Sequence, residues 1–312
     1  MRILFMGTPD FAVPTLQALV EAGYEIPLVV SRPDRKRGRG QKTMPSPVKK
    51  VAQELSIPVL HPAKLDQDFI EILQKEKIDL GVVVAFGRIL PPDLLKALPK
   101  GWINVHASLL PAYRGAAPIH RAVMAGEQET GITTMLMSEG LDEGDMLLQE
   151  KIAVHEDDTV GKVHDQLALV GASLLVKTLK KLEQGQLKPQ PQNHEEATYA
   201  SMLYVEDEQI NWQESAEKIH NQVRGMNPWP GASMKDNGKI VKVFKGCLRK
   251  EGLALEGNGQ PGEIIAITGE EVAVATGQGL YWLQEVRPAG SKTMTAGAYV
   301  RGRRIAKGYC FT

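Results

Sequence analysis

The stretch Trp102-Ile103-Asn104-Val105-His106-Ala107-Ser108-Leu109-Leu110-Pro111-Ala112-Tyr113-Arg114-Gly115 decides how this chain folds. It starts as a short apolar run and ends in a turn bearing proline and glycine. Side chains alternate faces along an extended segment, so Asn104 and His106 project to the same side and converge on one point. Two uncharged hydrogen-bonding side chains where a strand runs out mark the carboxyl edge of a sheet, the place where open α/β sheets take their ligands.

Upstream the same texture repeats. Arg2–Met6, Ile26–Val30, Pro58–Leu60 and Leu80–Ala85 are rich in Val, Ile and Leu, with helical periodicity between them, as in Asp66 to Glu76 with Phe69, Ile70, Ile72 and Leu73. This βαβ rhythm predicts an α/β unit with a parallel sheet covered on both faces. Ser46-Pro47 reads as an N-cap followed by proline at the first helical position, starting a helix at Val48 that runs to about Leu55. Downstream the pattern gives a helix near Ala117–Ala125, strands near Ile132–Met137 and Met146–Ile152, and a long helix from a capping Thr159 to Glu183.

The texture then changes. Gly185-Gln186-Leu187-Lys188-Pro189-Gln190-Pro191-Gln192-Asn193 is polar and proline-rich, the composition of a connector. We divide the chain into a domain at 1–189, a linker at 190–206 and a second domain at 207–312. Beyond the linker, short β-like runs (Ile240–Phe244, Gly262–Ile267, Val272–Thr276, Gly279–Leu283) separated by glycine-bearing turns suggest a small antiparallel barrel.

Two domains are also what 312 residues lead one to expect. Hydrophobic residues make up 43% and charged residues 24%, values of an ordinary globular chain. No apolar run approaches the ~18 residues of a membrane span, and the start, Met1 to Gly7, enters a strand-like run without the features of a signal peptide. The expected setting is the cytoplasm, with no membrane partner. Cys247 and Cys310 are far apart and outside any C-x-x-C motif, which argues against a disulfide framework and a thiolate metal site. Gly7-Thr8-Pro9-Asp10 lies in the first βα turn, where a helix start can hold an anion, but it lacks the further glycines of a dinucleotide fingerprint. With 37 basic and 37 acidic side chains, affinity for nucleic acid has to come from local clusters.

An amide from Asn104 and an imidazole N–H from His106 are suitable donors to an oxyanion. A carboxylate to accompany them comes from Ser138-Glu139-Gly140-Leu141-Asp142-Glu143-Gly144-Asp145, a loop that follows a strand and whose glycines permit tight turns. Residue types alone leave Asp142 and Asp145 equivalent.

The run N-x-H followed by S-L-L-P-x-x-R-G resembles the signature of the folate-dependent formyltransferase family, and the resemblance extends over nearly the whole chain. It implies a Rossmann-like formyltransferase domain followed by a small OB-like β-barrel domain. It selects Asp142, through the family's D-x-G-D pattern, as the third catalytic residue beside Asn104 and His106, orienting the imidazole and assisting removal of the amine proton. It implies 10-formyltetrahydrofolate as cosubstrate, no metal, and folate contacts from Phe86, Arg88, Ile89 and Leu90 after one strand and from Ser108, Leu109, Leu110 and Pro111 after the next.

The basic segment Ser31 to Met44 carries Arg32, Arg35, Lys36, Arg37, Arg39 and Lys42 against the single acid Asp34. So dense a cluster in a neutral chain suits phosphate contacts. It resembles the P-D-R…G-R-G-x-K insertion of those family members that formylate a charged tRNA. The implied partner is initiator methionyl-tRNA, gripped by Arg35, Lys36, Arg37, Arg39 and Lys42 and by a second patch at Arg301, Arg303 and Arg304. Asn227-Pro228-Trp229-Pro230-Gly231-Ala232 resembles the family's entry into the C-terminal domain. A monomer is expected. Two alternatives remain open at this level: a formyltransferase for a small amine such as a nucleotide amino sugar, and a non-catalytic RNA-binding protein on the same fold.

Overall fold

The computed structural model of the chain describes residues 1–37, 42–248 and 259–312. They form two compact units. The first takes in Met1–Pro118, Glu129–Ile152 and His164–Ala200, and the second Ile119–Gln128, Ala153–Val163 and Ser201–Thr312.

A seven-stranded sheet organises the first unit: β1 (Arg2–Gly7), β2 (Glu25–Val30), β3 (Val59–Leu60), β4 (Leu80–Val84), β5 (Trp102–His106), β6 (Glu129–Leu136) and β7 (Met146–Ala153), in the order β7-β6-β5-β4-β1-β2-β3. Strands β3, β2, β1, β4 and β5 are parallel, as the βαβ rhythm predicts. β5 pairs antiparallel with β6, Asn104 opposite Met135 and His106 opposite Thr133. The central strands read as continuous apolar runs because both faces are covered; all of β4 is buried. Strand order reverses at β1, which lies between β2 and β4, so the loops after β1 and β4 part there.

Local signals hold where side-chain chemistry sets them. The helix Pro47–Glu54 begins at Ser46, whose hydroxyl accepts from the Lys49 N–H at 3.1 Å. The helix Gln67–Lys75 turns Phe69, Ile70 and Leu73 inward, and Thr159 caps the helix Val160–Glu183 by accepting from Lys162 N at 3.3 Å. Gly81, in β4 opposite Trp102, leaves room for the indole: a Cβ there would stand 2.0 Å from Trp102 Cε3. The indole N–H donates to the Leu94 carbonyl at 2.9 Å, fixing the residue that opens β5.

Residues 190–200, within the stretch expected to be linker, belong to the first unit. Gln190 and Met146 exchange backbone hydrogen bonds of 2.9 and 2.8 Å, Gln192 is buried, and Tyr199–Ala200 pairs in parallel with Arg114–Gly115. The last passage from the first unit to the second falls at Ala200/Ser201.

The second unit carries β8 (Ala232–Asp236), β9 (Lys239–Cys247), β10 (Ile264–Thr268), β11 (Glu271–Ala275) and β12 (Leu280–Pro288), antiparallel in the order β8-β9-β12-β11-β10. Residues 309–312 join its two outer strands. Ile264 N donates to Tyr309 O and Phe311 N to Gly262 O, each at 2.8 Å, while Thr312 N donates to Lys235 O at 3.0 Å. The sheet thereby closes into a barrel around Val241, Val243, Val272, Val274, Tyr281 and Leu283. β8 is the strand the sequence pattern does not display, since Ala-Ser-Met-Lys-Asp lacks β-branched residues. At its end the buried Asp236 accepts from the Tyr299 and Tyr309 hydroxyls at 2.5 Å each and pairs with Arg303 at 3.1 Å.

Among the described residues no helix is long and apolar enough to cross a membrane.

Candidate active site

Asn104 and His106 occupy the last turns of the pleat in β5, on the same face, as their spacing requires. The loop after β6 brings Asp142 to both. Asn104 Nδ2 lies 3.4 Å from Asp142 Oδ1, a long and therefore weak hydrogen bond, and His106 Nδ1 lies 3.6 Å from Oδ2. The Gly115 backbone N–H donates to the same Oδ2 at 2.9 Å. Asp142 holds a left-handed backbone, φ +49°, which Asp tolerates better than most residues and which aims its carboxylate back at the strand end.

His106 is buried to 6% exposure, and its other nitrogen is committed: Nε2 stands 3.0 Å from the Tyr113 carbonyl. A carbonyl oxygen only accepts, so Nε2 carries a proton. The imidazole therefore faces Asp142 through Nδ1, as a donor when the ring holds two protons and as an acceptor when it holds one. Asp145, the other aspartate of this loop, turns its backbone carbonyl to Leu136 N at 2.9 Å and so serves the loop's attachment to β6.

The turn beyond β5 is braced from inside. Ser108 is fully buried, with its hydroxyl donating to Ala112 O at 2.6 Å. Thr133 Oγ1 donates to Ser108 O at 2.7 Å and accepts from Leu110 N at 3.1 Å, and Leu110–Pro111 is a cis peptide. Leu110 is buried, while Leu109 and Pro111 are half-buried.

In the loop after β4, Phe86 and Leu90 belong to the core, and Arg88 is spent on the carbonyls of Pro62 and Ala63 at 2.8 and 3.1 Å. Ile89 is the residue that projects, at 87% exposure, and Leu141, next to Asp142, is exposed as well. A cavity of about 170 Å³ lies where the strand order reverses, lined by Thr8 and Pro9 after β1, Arg32 and Pro33 after β2, and Ala85, Phe86 and Gly87 after β4.

The basic segment is a two-stranded ribbon: Arg35–Arg37 pairs antiparallel with Lys42–Met44. Arg39 lies outside the described residues. The segment's single acid, Asp34, is paired with Lys49 at 2.8 Å. At the far end of the chain, Arg301 pairs with Glu270 at 2.7 Å and Arg303 with Asp236, whereas Arg304 is exposed at the helix C-cap.

Two residues around the site escape sequence reasoning. Arg114, 2% exposed, directs Nε and Nη2 to Gln192 Oε1 at 3.0 and 2.8 Å. Gln192 Nε2 in turn donates to the carbonyls of Asp142 and Gly144 at 2.8 and 2.7 Å. Arg114 stands within the motif; Gln192 gives no signal in its polar, proline-rich surroundings. Among the described residues no cluster of His, Cys, Asp and Glu is suited to a metal ion.

The match to known families agrees with this architecture. Residues 1–179 match the family described as formyl transferase, and residues 202–304 match the formyl transferase C-terminal domain, so fold and site define a formyl-transferring enzyme. The methionyl-tRNA formyltransferase of Heliobacterium modesticaldum is 65% identical over 315 residues, covering 100% of both chains, and the chain belongs to the methionyl-tRNA formyltransferase family. Among solved structures, the N-formyltransferase of Helicobacter canadensis in complex with folinic acid and dTDP-3-aminofucose shares the fold, with a TM-score of 0.68 at 18% identity, covering 92% of this chain and 98% of that one. HypX from Aquifex aeolicus in complex with tetrahydrofolic acid is similar, with a TM-score of 0.65 at 21% identity over 96% of this chain and 47% of its own.

Proposed function

We propose that the chain transfers the formyl group of 10-formyltetrahydrofolate to the α-amino group of initiator methionyl-tRNA, with Asn104, His106 and Asp142 as the catalytic set. The observation that carries this reading is the convergence of the Asn104 amide, His106 Nδ1 and the Asp142 carboxylate at the end of β5. The folate supplies the formyl carbon, and the chain's own groups manage charge and protons.

As the amine attacks, the formyl oxygen gathers negative charge. Asn104 Nδ2, held among the described residues by a long bond to Asp142, is free to turn to that oxygen, and His106 Nδ1 reinforces it as a donor when the ring carries its second proton. Asp142 takes the proton the amine must lose, directly or through water, and returns it to the departing folate nitrogen. No covalent enzyme intermediate is needed. Ile89 and Leu141 offer exposed apolar side chains to the flat heterocycle, while Phe86, Leu90, Ser108 and Leu110 shape the wall from behind and Arg88 ties the loop down.

Acceptor choice rests on the basic segment, whose Arg35, Lys36, Arg37, Arg39 and Lys42 supply the charge for tRNA phosphates. Arg304 supports it from the second unit, and Arg301 and Arg303 retain N–H groups beyond their ion pairs. The test is formyl transfer from 10-formyltetrahydrofolate to charged initiator tRNA, charged elongator tRNA and free methionine. Transfer confined to the charged initiator supports the assignment; activity on none of the three overturns the acceptor.

A further inference from the structure

We infer that Gln192, held in place by Arg114, is a positioning residue that sets the direction of the Asp142 carboxylate. The inference rests on the proposed catalytic role of Asp142.

A primary amide has two donor hydrogens and two acceptor lone pairs. Gln192 uses all of them on one axis. Its oxygen accepts twice from the Arg114 guanidinium, and its nitrogen donates once to the Asp142 carbonyl and once to the Gly144 carbonyl. Turning the amide over would set NH₂ against guanidinium and oxygen against carbonyl, so one orientation alone satisfies the site. Both residues are buried, Arg114 at 2% and Gln192 at 5% exposure, where unmade bonds to such groups are costly.

The residue type is specified by the same count. Glutamate accepts from Arg114 but, ionised, has nothing to donate to two carbonyls. Lysine or arginine donates but cannot accept. Asparagine carries the right atoms on a stem one methylene shorter.

The bonded carbonyls belong to the residue that matters and to its near neighbour. Asp142 keeps a left-handed φ of +49°, and Gly144 is pressed so close to β6 that a Cβ would stand 1.9 Å from Leu136 O. The loop is thus pinned to β6 at one end and to Gln192 over the residue that bears the carboxylate. Arg114 is followed by Gly115, whose N–H binds Asp142 Oδ2 at 2.9 Å. One two-residue strand therefore fixes Asp142 twice, through its carboxylate and, by way of Gln192, through its carbonyl.

The experiment is a double-mutant cycle of Gln192→Ala and Asp142→Asn in the full-length protein. It reads kcat, KM for both substrates and the thermal unfolding midpoint. Gln192→Ala is expected to lower kcat about tenfold to a hundredfold with KM values nearly unchanged, the scale of a catalytic group displaced by about 1 Å. In the Asp142→Asn background the same change is expected to alter kcat less than about twofold, because the residue it positions is gone. An equal factor in both backgrounds, or no loss from Gln192→Ala beside a large loss from Asp142→Asn, overturns the inference. Full activity of Asp142→Asn overturns the catalytic reading instead. Should Gln192→Ala fail to fold, Gln192→Glu keeps Arg114 paired and carries the test: it lacks the donors, and native kcat in that variant overturns the positioning role.

Discussion

The Nε2 of His106 donates to the carbonyl of Tyr113 across 3.0 Å, and this bond decides which nitrogen does chemistry. The ring is locked so that Nδ1 alone meets Asp142 and whatever lies between them. Replacing His106 by Ala removes that group while leaving the tRNA contacts untouched. The expected result is a kcat lower by about 10²–10⁴, the usual yield of a positioned acid or base, with unchanged affinity for methionyl-tRNA. Single-turnover kinetics beside a tRNA binding titration separates the two; a parallel loss of both indicates a folding defect and not a catalytic one.

Asn104 makes a sharper test because an isostere exists. Asn104→Ala is expected to cost about 2.7–4 kcal/mol in the barrier, the typical value of one oxyanion donor. Asn104→Asp keeps shape and volume but sets a carboxylate 3.4 Å from Asp142 Oδ1 and opposite the forming oxyanion. Aspartate should therefore be the worse of the two in kcat. If the aspartate variant outperforms alanine, Asn104 acts by filling space and not by donating.

How far the chain could be read before its structure follows from the range of the forces involved. Strands such as β4 declare themselves because burial on both faces leaves an unbroken apolar run, and caps such as Ser46 because one side chain meets one nearby N–H. The pairing of Asn104 with His106 was legible for the same reason, since a period of two places them on one side. What stayed hidden depends on distant partners. Gln192 looks like connector until Arg114, 78 positions away, is seen against it. Likewise Arg303 reads as a free surface cation until it is found beside Asp236, buried by a fold that composition does not encode.

The basic segment 31–44 should behave as an electrostatic contact. Arg39→Ala is expected to weaken methionyl-tRNA binding and to reduce the slope of log affinity against log salt by about 1, the loss of one phosphate contact. Folate binding should not move. Titrations at several salt concentrations check this; an unchanged slope would show that Arg39 makes no phosphate contact.

Asp236 gives the second unit a pH dependence. Burial pushes its carboxyl pKa up, but the Tyr299 and Tyr309 hydroxyls and the Arg303 guanidinium outweigh that, and the net shift is downward. A carboxyl lower in the folded than in the unfolded chain contributes stability that is complete above the unfolded value, about 3.9, and lost as pH falls through the folded one. The stability gap between the native chain and Asp236→Asn should accordingly be full at pH 6 to 7, expressed as a flat plateau down to roughly pH 4, and narrow below it. Asp236→Ala, which leaves two hydroxyls without their acceptor while the 39% exposed Arg303 guanidinium stays hydrated, should cost about 1–3 kcal/mol. Urea unfolding across this pH range is the measurement, and a gap that widens on acidification contradicts the assignment.

Gly81 connects packing to catalysis. A methyl at this position would stand 2.0, 2.4 and 2.5 Å from three atoms of the Trp102 ring, which is 2% exposed and tied by its N–H to Leu94 O. Neither partner has room to yield, so β5 must move away from β4, and Asn104 stands only two residues along β5, paired with Val83. Gly81→Ala should destabilise the protein by about 1–3 kcal/mol, the range of an overpacked core, and lower kcat even in the fraction that remains folded. Shrinking the ring should relieve both effects: Gly81→Ala combined with Trp102→Phe is expected to be more stable than the sum of the single changes by about 0.5–3 kcal/mol. Denaturant unfolding of the four proteins, with kcat measured on each, checks the coupling. Strict additivity would mean that the strain is absorbed elsewhere and that β4 does not set the position of the strand bearing Asn104 and His106.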